Sequence, residues 1–154
     1  FTYEFANEGF ASSFGNVDSD EVLLTSYIGE YENIRIPDVY MIDGSSYNVE
    51  LFIGDDVAPE GDYGVFANNT TIKNVYIDES VGFNDVLYID EDSVRGLFYG
   101  CVNLETAVIE NENVTNANLM FWNNSSNVKV YVPGDSTTYE TLSETSNVGN
   151  LFKK

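Results

Sequence analysis

The residue types that do chemistry bound this 154-residue chain, and the first is one that is missing: the sequence holds no His. That removes the commonest general base and the usual partner of a Ser or Cys nucleophile. The lone Cys101 cannot form an internal disulfide, and without His a Cys/His zinc site is impossible. Its setting suits a small buried apolar residue better than a nucleophile. Among 26 Asp and Glu, no pair stands out as an acid–base couple of the glycosidase kind. Neither a Gly-rich phosphate loop nor a Walker motif occurs. The chain reads as a non-enzyme.

Hard oxygen ligands gather at Asp18-Ser19-Asp20-Glu21, Asp55-Asp56 and Asp90-Glu91-Asp92, all in expected turns. None has the Gly and Glu spacing of an EF-hand loop. Two readings stand: solvated turns of a very acidic protein, or weak Ca2+ binding by those turns, with no other cofactor expected. A net charge of −20 also opposes nucleic acid and anionic membranes, which such a chain repels. The longest apolar runs fall short of the ~18 residues that membrane insertion requires.

What remains is aromatic and amide-rich, and such residues suit recognition. Tyr offers apolar area and a hydroxyl with little rotamer entropy to lose. Tyr76, Tyr88 and Tyr131 are the contact candidates, with added cross-strand packing as the alternative role.

The elements that position these residues come from a repeat. The stretches that start at Phe66, Phe98 and Phe121 superimpose, with apolar residues coinciding at offsets zero, nine and eleven. Their spacings of 32 and 23 residues fall in the ~20–50 residue window of a solenoid. Val75 and Ile77, Ala107 and Ile109, and Val130 and Val132 alternate with other residues, which predicts one short half-buried strand per unit. Tyr76 and Tyr131 share one offset between inward positions, with Val108 between them in the series, so they should face outward. A polar run such as Asn68-Asn69-Thr70-Thr71 predicts a tight turn before each strand, and each leading Phe should plug the core. An unrelated β-sandwich would share the spacing of short strands but would not explain the repeated Phe.

Phe98, Cys101, Leu104 and Ile109 follow a pattern that resembles the bacterial surface antigen (BspA-like) leucine-rich repeats: aromatic, Cys, Leu, then a strand. Val130-Tyr131-Val132-Pro133-Gly134 is similar to the closing segment of those arrays. Tyr27-Ile28-Gly29, Asn33-Ile34-Arg35-Ile36-Pro37 and Ile42-Asp43-Gly44 are similar to their opening segment. Asn69 and Asn124 replace the expected Cys, Asn127 replaces the expected Leu, and long insertions separate Ile36 from Phe66.

The resemblance implies a mainly β fold with little helix: a right-handed leucine-rich-repeat solenoid with N- and C-terminal caps. At 154 residues the chain fits one domain. Residues 1–21 would form the N-terminal cap, 22–132 the array and 133–154 the C-terminal cap. In the N-terminal stretch, Phe1, Phe5, Phe10 and Phe14 fit either a capping helix or an edge strand. The chain opens at Phe1 with no leader-like run, so any targeting segment is expected to lie outside it.

The resemblance further implies an extracellular or cell-surface bacterial protein that acts in adhesion and binds a protein or glycan ligand outside the cell. The alternative is a structural spacer, or a tip domain of a larger assembly such as a surface protein or phage tail fibre.

Overall fold

The structure, a computed structural model, describes residues 1–5, 18–52, 64–84, 96–111 and 128–132, with the backbone of 152–153. Its strands are β1 (Thr2–Phe5), β2 (Glu21–Ser26), β3 (Asn33–Ile36), β4 (Val39–Ile42) and β5 (Ser45–Phe52). They continue with β6 (Asn74–Ile77), β7 (Gly82–Asn84), β8 (Thr106–Ile109), β9 (Lys129–Tyr131) and β10 (Phe152–Lys153). The described residues contain no helix.

The strands divide between two five-stranded sheets. One is mixed, in the order β1-β2-β5-β4, with β7 also on β5; the other has the order β10-β9-β8-β6-β3 and is parallel throughout. This corrects the expectation of a right-handed leucine-rich-repeat solenoid with two caps, which would stack its coils along one continuous parallel sheet. The mainly β content agrees with the sequence, whereas the single stack does not.

The physical reason lies between Ile36 and Phe66. Ile42-Asp43-Gly44-Ser45 forms a two-residue hairpin, with φ of 50° at Asp43 and 84° at Gly44. Positive φ at both central positions, with Asp-Gly as the pair, is the turn that matches the twist of antiparallel strands. It reverses the chain, so β4 runs antiparallel to β5, and β1 likewise runs antiparallel to β2. A strand that turns back on its predecessor cannot continue a one-way coil. Ile42-Asp43-Gly44 is thus a turn, as the sequence predicts, and it closes a hairpin.

At the N-terminus, Thr2–Phe5 is an edge strand of the mixed sheet. The Thr2 hydroxyl bonds those of Thr25 (2.8 Å) and Ser26 (2.6 Å). Phe10 and Phe14 lie outside the described residues, as does the C-terminal segment apart from 152–153.

In the parallel sheet the repeat has a direct physical meaning. Its apolar positions pair in register, Ile34 with Val75, then Ala107, then Val130, and Ile36 with Ile77, then Ile109. All seven are buried and join Val22, Val49 and Leu51 of the mixed sheet in one core. Ahead of these strands stands an aromatic column. Phe66 and Phe98, both fully buried, stack at 5.2 Å with ring planes 6° apart, and Tyr27 lies 6.1 Å from Phe66.

The same backbone bond recurs along the column: the Tyr27 N–H donates to Val65 O, and the Phe66 N–H donates to Leu97 O. Tyr27 thus heads β3 as Phe66 heads β6 and Phe98 heads β8. Two residues after the latter two aromatics stand Asn68 and Gly100, with φ of 59° and 69°. The turn needs a left-handed residue there, which Asn and Gly tolerate best.

Candidate functional site

The outward residues of the parallel sheet form two cross-strand rows. Arg35, Tyr76, Val108 and Tyr131 face one another in register, and so do Asn33, Asn74, Thr106 and Lys129. Strict alternation produces this, because each inward apolar residue throws its neighbours to the opposite face. Tyr76 and Tyr131 are each 36% exposed, too open for core residues. Tyr88 lies outside the described residues.

Tyr76 is held from both sides. The Arg35 guanidinium stands over its ring, 5.2 Å from the centroid, and its hydroxyl donates to Glu110 Oε1 at 3.1 Å. Partial desolvation and the Glu110 contact push the phenol pKa up. Arg35 in turn donates Nε–H to Asp78 Oδ1 (3.1 Å) and Nη2–H to Asp78 Oδ2 (3.0 Å), a two-pronged bond that fixes its plane. In the second row Asn74 Nδ2 donates to Asn33 Oδ1 at 2.8 Å. An open groove of about 330 Å³ runs over these residues, with Thr106 and Val108 also in its lining.

A second cleft, of about 410 Å³, lies on the mixed sheet against Phe1, Tyr3, Val22, Leu24, Tyr40 and Ile42. Its lining includes exposed Met41 and the Tyr40 phenol, whose pKa burial raises.

No protein-family model, no curated protein and no solved structure matches the chain.

Among the described residues the geometry brings no catalytic set together. Cys101 is fully buried, its S–H donates to Phe66 O at 2.9 Å, and burial pushes its pKa up to about 12. It ties one aromatic turn to the preceding one. At the equivalent position of the first unit, Asn69 instead accepts from the Thr71 and Ile72 N–H groups through Oδ1. The replacement of Cys by Asn thus exchanges a bond between turns for one within a turn.

Of the acidic clusters, Asp18–Glu21 closes on itself. The Asp18 N–H donates to Glu21 Oε2 at 2.7 Å, and Asn48 Nδ2 donates to Asp20 Oδ2 at 3.4 Å. Asp55-Asp56 and Asp90-Glu91-Asp92 fall outside the described residues. Among the described residues no three His, Cys, Asp or Glu side chains converge as metal ligands. No helix among them is long and apolar enough to cross a membrane.

Sequence reasoning missed Arg35 as the end of the Tyr row and Tyr27 as the head of the aromatic column. A signal for Tyr27 was present: Tyr27-x-Gly29 repeats the spacing of Phe98-x-Gly100. For Arg35 the signal was its place between Ile34 and Ile36, the offset that Tyr76 holds between Val75 and Ile77.

Proposed function

We propose that this chain is a non-enzymatic binding module, secreted or displayed on a bacterial cell surface, and that the outer face of its parallel sheet contacts the ligand. One observation carries the reading: Arg35, Tyr76, Val108 and Tyr131 form an outward-facing in-register row on a preordered sheet. Rings fixed before contact lose little entropy on binding. The similarity of Phe98, Cys101, Leu104 and Ile109 to bacterial surface-antigen repeats supports a place outside the cell and a role in adhesion. A charge of −20 disfavours nucleic acid and anionic membranes, which leaves protein or glycan as ligand.

The test is a binding screen of the purified chain against extracellular-matrix proteins and glycans, beside a Tyr76→Ala/Tyr131→Ala variant. Saturable binding that the folded variant loses is the expected result. No binding by a folded wild type would discard this reading in favour of a spacer or assembly role.

A further inference from the structure

We propose that the outer face of the parallel sheet binds a neutral, extended oligosaccharide that lies across the strands with sugar rings over Tyr76 and Tyr131. This inference rests on the binding role proposed above. Tyr76 and Tyr131 stand on β6 and β9, with β8 between them. At ~4.8 Å per strand the two strands that carry them are about 9.6 Å apart, close to the length of two linked pyranose rings in an extended chain. Val108 stands in register between them. The C–H face of a pyranose packs on an aromatic ring, and a linear glycan repeats that face at regular intervals.

The second row supplies hydroxyl partners. The bond between Asn74 Nδ2 and Asn33 Oδ1 orients both amides and leaves Asn33 Nδ2, Asn74 Oδ1 and the Thr106 hydroxyl without a partner among the described residues. These groups lie one pleat repeat, ~6.6 Å, from the aromatic row. That places donors and acceptors along the edge of a sugar stacked on the tyrosines.

Charge narrows the ligand to a neutral one. The eight outward positions (Asn33, Arg35, Asn74, Tyr76, Thr106, Val108, Lys129, Tyr131) carry no carboxylate themselves, and the two that touch the row, Asp78 on Arg35 and Glu110 on Tyr76, are matched in number by the cations Arg35 and Lys129. Arg35 and Lys129 on the face oppose a polycation, while the net charge of −20 opposes a polyanion and a second copy of the chain. Arg35 is also already held by Asp78. An uncharged polymer rich in hydroxyls meets neither objection.

The experiment is calorimetric titration of the chain with neutral β-linked glucose and N-acetylglucosamine oligomers of increasing length. A uronic-acid polymer and a polylysine peptide serve as charge controls, and matrix proteins run in parallel. Affinity should rise with oligomer length until both tyrosines are spanned, then level off, and it should not change with salt. Tyr76→Ala and Tyr131→Ala should each weaken binding about tenfold, while Met41→Ala, on the mixed sheet, leaves it intact. Melting curves establish that each variant is folded.

Preference for a charged polymer, or sugar binding that the two Ala variants leave unchanged, would overturn the inference. Binding of a protein alone, lost in those variants, would overturn the sugar and keep the binding role. Binding of nothing by the folded chain would discard both.

Discussion

The two sheets of this molecule solve the same burial problem in different ways. In the parallel sheet β3, β6, β8 and β9 repeat one another: apolar residues pair in register inward, Tyr27, Phe66 and Phe98 line up ahead of β3, β6 and β8, and the outward rows are continuous. In the mixed sheet the chain reverses at Asp43-Gly44, and β5 serves β2, β4 and β7 at once. Periodicity produces a uniform exposed face. Its loss produces a junction that must place unlike groups side by side, among them Glu50.

The largest effect that sharpens this contrast comes from the aromatic column. Phe98→Ala removes a fully buried ring stacked on Phe66 and should cost about 3–5 kcal/mol. Phe5→Ala removes a half-buried ring from the mixed sheet, where it packs 5.0 Å from Tyr47, and should cost roughly half as much. Urea unfolding of both variants measures the difference, and equal losses would break the distinction between the sheets.

Next comes Glu50. Burial, then Glu21 and Asp18, raise its carboxyl from an ordinary 4.5 to about 7. Between those values the folded state keeps a proton that the unfolded chain has released, so stability falls as pH rises through that window. Above pH 7 the penalty is complete, on the order of 1–2 kcal/mol once solvent screening is allowed for. Glu50→Gln should remove it, raising the melting temperature at pH 8 while changing little at pH 4. An equal gain at both pH values would refute the titration account.

Cys101→Ala should cost about 1 kcal/mol, since it deletes a weak buried S–H donor and little volume. In the native chain, thiol alkylation should proceed only as fast as the fold opens, because burial keeps the sulfur protonated and covered. Rapid labelling of the folded protein would place the thiol elsewhere.

The smallest effect should come from Arg35→Ala, since an exposed pair with Asp78 contributes little and salt screens it. Added salt should raise the melting temperature of the whole chain by relieving the repulsion of its net charge.

How far the sequence could be read follows the same division. The β6, β8 and β9 strands, their inward residues and the outward Tyr76 and Tyr131 were legible, because alternation and repetition state one pattern several times. The mixed sheet was not, since Val22-Leu23-Leu24 is buried without alternation and Asp43-Gly44 reads as a turn without saying which strands it joins. Tyr27 was hidden for a related reason: its unit begins with a different aromatic and lacks the Asn-rich run that marks the Phe66 and Phe121 units.

The most direct test of the account is amide chemical-shift mapping while the chain is titrated with the tightest ligand from the binding screen. The account predicts that shifts cluster at Arg35, Tyr76, Val108 and Tyr131, with Asn33 and Asn74 beside them. Shifts confined to Phe1, Tyr3, Tyr40 and Ile42, the cleft of the mixed sheet, would contradict it.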